Sequence, residues 1–302
     1  MTAASSARAA VSGSAVGGMV RTIGPRTFDF AREVAVMAIV NRTPDSFYDR
    51  GRTDALDAAV AAGRRAIAEG ADWIDIGGAK FAPGPAVPVA EEIDRVVPVV
   101  AALADAGAVI SVDTFHAEVA RAAIAAGAHV VNDTTGLSDP GMAAVLAETG
   151  ASVVITHSLA APRMPFPSPR YDDVVLEVAD YLRARVALAE AGGVASDRII
   201  VDPGHDLNKH TLDSLELTRR LDEVVAIGYP TLVALSNKDF VGESLGRPRA
   251  ERVEGSIAAA VYCVLRGARI VRVHNVRETV DAMRMIEAIE GWRDPVFLEH
   301  NQ

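Results

Sequence analysis

A single cysteine, Cys263, leaves this chain unable to form an internal disulfide and without the paired thiolates of a zinc-thiolate site. That lone thiol falls in a helical pattern, where a small buried hydrophobe is the ordinary reading. Long apolar runs are missing as well. Hydrophobic residues make up 50% of the chain, but the runs are strand-length and interrupted, so none reaches the roughly 20 residues of a membrane-spanning helix. Positive charge is outnumbered: 30 Lys and Arg against 40 Asp and Glu give a formal net charge of -10. An acidic chain is a poor partner for a phosphate backbone, although it can still hold a local anion pocket. Residues 1–25, rich in Ala, Ser and Gly, lack the continuous apolar core of a secretory signal and are expected to be a frayed tail. These absences point to a soluble protein of the reducing cytoplasm, with neither nucleic acid nor membrane as partner.

What the chain does have is eight short runs of apolar, mostly β-branched residues, each ending in polar groups. Val36–Val40 leads to Asn41, Trp73–Ile76 to Gly77-Gly78, Val109–Val112 to Asp113, and Val130-Val131 to Asn132-Asp133. Val153–Thr156 leads to His157, Ile199–Val201 to Asp202-Pro203-Gly204, Leu232–Leu235 to Ser236-Asn237-Lys238, and Ile270–Val273 to His274. Nearly continuous apolar runs suit strands buried on both faces, as parallel strands are. Eight of them separated by helix-length segments predict one (β/α)8 TIM barrel over residues 26–291, with a C-terminal tail at 292–302 and the chemistry at the strands' C-terminal rim.

The connecting segments agree. Helices are expected over Asp54–Glu69, Glu91–Leu103 despite Pro98, His116–Ala126, Asp172–Ala191, Leu212–Leu221, Glu251–Leu265 and Glu278–Ile289. Thr27–Phe30 reads as a short ribbon plugging the lower end of the barrel. The loop Asn41–Phe47 suits either a metal-bound phosphate or an ordinary polar turn. Gly77–Gly84 is glycine-bounded but has neither the dinucleotide spacing nor the Lys-Ser/Thr ending of a P-loop. Four prolines between Pro162 and Pro169 mark an extended loop over the rim.

Two chemical groups follow if the strand ends share one rim. Asp113, Asn132, Asp202 and Lys238 offer the acceptors, two-way amide and cation that hydrogen-bond the edge of a flat heterocycle. Asn41, Arg272 and His274 offer donors for an anion such as phosphate. Each has a structural alternative: a barrel aspartate is often simply paired with a nearby cation, and His157 can satisfy a loop carbonyl. His205, His210 and His300 lack metal-ligand spacing and read as solvent-facing.

Asn41-Arg42-Thr43-Pro44-Asp45-Ser46-Phe47, Ile74-Asp75-Ile76-Gly77-Gly78, Ser111-Val112-Asp113-Thr114, Asn132-Asp133, Asp202-Pro203-Gly204, Ser236-x-Lys238 and Arg272-Val273-His274 resemble dihydropteroate synthase in order and spacing. The resemblance implies that Asp113, Asn132, Asp202 and Lys238 hold a pterin, while Asn41, Arg272 and His274 hold its diphosphate. Lys238, Arg272 and His274 would then serve catalysis, and Asn41 would ligate Mg²⁺. The implied reaction condenses 6-hydroxymethyl-7,8-dihydropterin diphosphate with para-aminobenzoate, in a cytoplasmic homodimer. More distantly, methyltetrahydrofolate-dependent methyltransferases share the barrel, but the Arg272-Val273-His274 signature argues against that chemistry.

Departures cluster on one side. Where the family reads Glu-Ser-Thr-Arg-Pro-Gly after the two glycines, this chain has Ala79-Lys80-Phe81-Ala82-Pro83-Gly84. Asn237 replaces an arginine, Asn275 an aspartate, Thr156 a methionine, Arg42 a small apolar residue, and His205-Asp206-Leu207 the usual Ile-Gly-Phe. Two readings follow: a working synthase in which Lys80 or Arg42 restores the lost charge, or a pterin-binding paralogue that condenses poorly or not at all.

Overall fold

The computed structural model describes residues 19–41, 52–79, 81–165 and 168–300. An antiparallel hairpin, β1 (Val20–Ile23) and β2 (Arg26–Asp29), comes first. Residues 19–25, expected in the frayed tail, are therefore partly a strand, held because Ile23 and Phe28 are buried under the barrel. Phe28 and Phe30 stack at 5.4 Å between ring centroids, and Phe28 meets Trp73 at 5.9 Å. That plug is the expected ribbon.

Eight parallel strands follow: β3 (Ala35–Asn41), β4 (Trp73–Gly77), β5 (Val109–Asp113), β6 (Val130–Asp133), β7 (Ser152–Thr156), β8 (Ile199–Asp202), β9 (Leu232–Val233) and β10 (Ile270–Val273). Their order is β8-β7-β6-β5-β4-β3-β10-β9, and a bridge between Val201 and Thr231 brings the two ends together. The fold is a nearly closed TIM barrel.

Side chains alternate across a strand, and that alternation sorts the residues into two cores. Val36, Ile74, Ile110, Val153 and Val201 point outward into the helical layer. Met37, Trp73, Val109, Val130, Val154, Ile200, Ala234 and Ile270 fill the lower interior with the hairpin. Two residues further on, the same inward face carries Asp75, Ser111, Asn132, Thr156, Asp202, Ser236 and Arg272. An apolar floor thus lies directly beneath a polar storey.

The outer layer comprises α1 (Arg52–Ala68), α2 (Val89–Leu103), α3 (Ala117–Ala125), α4 (Met142–Thr149), α5 (Val174–Ala191), α6 (Thr211–Arg219), α7 (Leu221–Val225), α8 (Asp239–Leu245), α9 (Val253–Leu265) and α10 (Val276–Ile289). Helix α2 runs through Pro98, with Val96, Val99, Val100 and Leu103 buried. Asp173 caps α5 by accepting from the backbone N–H groups of Val175 and Leu176. Cys263 is buried in α9. Helices α4 and α8, of 8 and 7 residues, were not expected; a segment that short completes too few turns to show a period.

Candidate functional site

The polar storey is organised around Asp75, a residue that sequence reasoning left as part of a motif. Its carboxylate, fully buried, accepts from Ser111 Oγ at 2.6 Å, Asn132 Nδ2 at 3.0 Å and Arg272 Nε at 2.6 Å. Arg272 also donates from Nη2 to Asp113 Oδ2 at 2.8 Å. Four strands, β4, β5, β6 and β10, are thereby joined in one network. The signal was present in the sequence: Asp75 lies two residues past inward-facing Trp73.

Two of the four expected ring-binding residues, Asp113 and Asn132, belong to this network, and Asp202 and Lys238 lie within reach of the charge of Arg272. Asp113 is salt-bridged to Arg272. Burial pushes its carboxyl up to about 7, and the arginine opposes that shift only in part. Asn132 uses its amide nitrogen on Asp75, which leaves Oδ1 buried and without a partner in the protein. Asp202, nine-tenths covered, accepts from the Gly204 N–H at 2.7 Å; burial raises its pKa against the pull of Lys238. Lys238, at the start of α8, donates to the carbonyl of His205; burial lowers its pKa, and Asp202 and Asp206 resist that shift.

The expected anion-binding residues spread along the neighbouring edge of the mouth. Asn41 ends β3 in register with Gly77, where an added β-carbon would sit 3.0 Å from its Oδ1. His274 follows β10, and its backbone N–H donates to Ser236 Oγ at 3.2 Å, with Nδ1 3.1 Å from the same oxygen. Desolvation at the mouth, joined by the charges of Arg272, Arg249 and Lys238, brings its imidazole down to about 4, so the ring is neutral near pH 7. Arg272 sits on both sides of the division: it was assigned to the anion, yet its guanidinium is anchored by two carboxylates on the ring side.

Other groups are structural. Asp133, beside Asn132, accepts from Thr135 N, Thr135 Oγ1 and Leu137 N, and simply fastens its turn. Glu92 of α2, fully buried, accepts from Thr114 Oγ1 at 2.6 Å and lies 3.2 Å from His116 Nδ1. Arg95, one turn on, donates to the Gly78 carbonyl at 2.6 Å, so α2 holds the segments that leave β4 and β5. His157 meets Lys209 Nζ at 2.8 Å, and the same ammonium donates to the carbonyls of Gly204 and Leu207. His205 is a correction: it is wholly buried and faces Phe240 at 6.1 Å between rings, because its loop folds inward over α8. His210 and His300 are exposed as expected.

The second loop, described from Phe81 to Val87, is laced to the loop after β7. Arg163 accepts from the Gly84 N–H and donates its own to the Phe81 carbonyl, both at 3.1 Å. Its side chain donates to the carbonyls of Pro85 at 2.9 Å and Ala82 at 2.6 Å. Arg42 and Lys80, the cations expected to restore lost charge, lie outside the described residues. So does most of the loop after β3.

A nearly closed parallel barrel whose mouth carries buried carboxylates, an amide with an unmet acceptor, and a lysine and an arginine from neighbouring strands has the groups to bind a flat polar ring bearing an anionic arm. The pterin-binding enzyme family matches residues 37–274, and the chain belongs to it. It is 49% identical over 267 residues to the inactive dihydropteroate synthase 2 of Mycobacterium leprae, covering 86% of this chain and 92% of that one. It is 43% identical over 255 residues to the dihydropteroate synthase of Escherichia coli, covering 84% and 90% respectively. Among solved structures, the dihydropteroate synthase of Xanthomonas albilineans with 4-aminobenzoic acid superimposes with a TM-score of 0.84 at 42% identity, over 91% of this chain and 99% of that one. The chain is thus a divergent dihydropteroate synthase relative with an altered second loop.

Proposed function

We propose that this barrel binds 6-hydroxymethyl-7,8-dihydropterin diphosphate with Mg²⁺ and that its condensation with para-aminobenzoate is impaired. The carrying observation is an asymmetry within one mouth. The ring side is complete and preorganised, with Asp75 aligning Asn132 and Arg272. The second loop offers Ala79, Phe81 and Ala82 where the family places an acid, a hydroxyl and a guanidinium, and Arg163 holds it in that form.

On this reading, Asp113 and Asp202 accept N–H groups from the ring edge, Asn132 Oδ1 receives a further donor, and Lys238 donates. Arg272 and His274 meet the diphosphate. No group of three or more His, Cys, Asp or Glu able to hold a metal occurs among the described residues. An oxygen donor such as Asn41 suits a Mg²⁺ that arrives largely coordinated by phosphates and water rather than in a protein cage. When bound, the ion would neutralise charge on the departing diphosphate. Arg272 would do so from the protein side, and the carboxylates around the ring would favour positive charge developing at the pterin methylene. No protein nucleophile is required. The same reading expects a cytoplasmic homodimer, and sedimentation would check the dimer.

Two expected outcomes probe the ring side. Asp202→Ala removes one acceptor and should weaken pterin binding by roughly 1–3 kcal/mol in calorimetry; unchanged binding would mean that the ring lies elsewhere. The second is a pH dependence. A ring that donates to Asp113 binds its ionised form, whose population falls below about 7. Pterin affinity should therefore drop as pH goes from 8 to 6, approaching about tenfold per unit well below that pKa. Binding should release protons in the same window, and a flat profile would count against the contact. For folding, the sign is the reverse: a raised carboxyl pKa favours the folded state most at low pH, and that contribution is lost as pH rises through about 7.

A further inference from the structure

One carboxylate beside the site has no role in the proposed function. Asp206, four residues beyond Asp202, adopts φ +62, a left-handed backbone that costs a residue with a β-carbon. Its side chain spans two elements. Oδ1 accepts from Ser214 Oγ in α6 at 3.1 Å, and the Asp206 N–H donates to that same hydroxyl oxygen at 3.1 Å. Oδ2 accepts from the backbone N–H of Asp239 at 2.5 Å and of Phe240 at 3.3 Å, the two residues that follow Lys238. The exchange is reciprocal, because Lys238 Nζ donates to the carbonyl of His205, the residue before Asp206. From the opposite side Arg252 grips the same segment, donating to the carbonyls of Asn237 at 3.0 Å and Lys238 at 3.2 Å.

We propose that Asp206 is a positioning residue for Lys238, fixing where that ammonium stands relative to Asp202 and so setting the affinity for the ring. The inference deepens the proposed function and rests on its assignment of Lys238 and Asp202 to the pterin. A short helix whose cap residue is Lys238 has no side-chain cap of its own; Asp206 supplies one from the preceding βα loop. The loop after β8, which carries one ring carboxylate's strand, is thereby locked to the loop after β9, which carries the ring lysine. A residue that merely fastened α6 to α8 would affect stability alone. Asp206 also faces Lys238 with charge, alongside Asp202 from β8, His205 and Lys209 from the same loop, and Arg272 and His274 from the β10 side.

The test compares the wild type with Asp206→Gly, which removes the tie, and Asp206→Asn, which keeps an acceptor but not the charge. Each is titrated with 6-hydroxymethylpterin and, separately, with inorganic diphosphate and Mg²⁺. Asp206→Gly should lose about tenfold in pterin affinity while diphosphate affinity stays within about twofold. Asp206→Asn should hold the ring near neutral pH but lose it at lower pH than the wild type as the medium is made alkaline, because Lys238 has lost a neighbouring negative charge. The chain has only three lysines, Lys80, Lys209 and Lys238, so their side-chain NMR titrations can be followed individually. A Lys238 titration moved to lower pH in Asp206→Asn shows that Asp206 acts on Lys238 even if the wild type binds no pterin, an outcome that would sink the proposed function instead. Equal loss of both ligands in Asp206→Gly, or a Lys238 titration unmoved in Asp206→Asn, would reduce Asp206 to a fastening between helices.

Discussion

Asp75→Ala is expected to lower folding stability by about 3–5 kcal/mol, the cost of taking from a buried cation one of its two carboxylates and leaving buried donors unmet. Three donors converge on this carboxylate from three other strands, so its removal strands Arg272 Nε, Asn132 Nδ2 and Ser111 Oγ together. The carboxylate is completely shielded, and water cannot replace it without opening the barrel. Asp75→Asn, which preserves shape and one acceptor, should cost less, and the difference between the two isolates the charge. Urea denaturation of both variants reads the effect directly. A loss under about 1 kcal/mol for the alanine variant would mean that the network is not what aligns the mouth.

Arg272→Ala should have the largest effect on binding. Truncating one member of a hydrogen-bonded, buried charge pair costs about 2–5 kcal/mol in affinity where that pair forms part of an interface. Here the guanidinium serves two carboxylates at once, at 2.6 and 2.8 Å. With it gone, the Asp113 carboxyl, already raised to about 7 by burial, loses its main opposing charge and rises further, so it is protonated where it should accept from the ring. The variant is therefore expected to lose the pterin as well as the diphosphate, whereas Lys238→Ala should weaken the pterin and leave diphosphate nearly unaffected. Calorimetric titration with each ligand separates the cases. Retention of pterin by Arg272→Ala would confine the arginine to the anion.

Much of this architecture was legible in the sequence, because a parallel strand advertises itself: Val109–Val112 and Val130-Val131 are apolar without interruption and then stop at Asp113 and Asn132. Where a strand ends in the sequence is where the barrel's rim lies in space, so polar residues hundreds of positions apart could be expected to meet. What strand ends cannot reveal is depth. Asp75 and Arg272 lie inside their strands, and only the inward alternation from Trp73 and Ile270 exposes them as the storey beneath the rim. Helices α4 and α8 escaped because fewer than three turns give no measurable period, and with α8 went the tie from Asp206. His205 was misread for a related reason: burial of a loop residue depends on how its loop folds back, here over Phe240, and a local pattern carries no trace of that. The lacing by Arg163 joins residues about 80 positions apart through backbone carbonyls, which have no sequence signature at all.

On the proposed function, ring recognition persists here while amine condensation is impaired. The most direct measurement titrates 6-hydroxymethyl-7,8-dihydropterin diphosphate with Mg²⁺ into the purified protein, then adds para-aminobenzoate and follows diphosphate release and dihydropteroate together. Saturable pterin binding is expected, with turnover at least about a hundredfold slower than that of the Escherichia coli synthase assayed alongside, the scale of loss a misplaced co-substrate brings. Turnover matching that enzyme, or no pterin binding by the folded protein, would contradict the account.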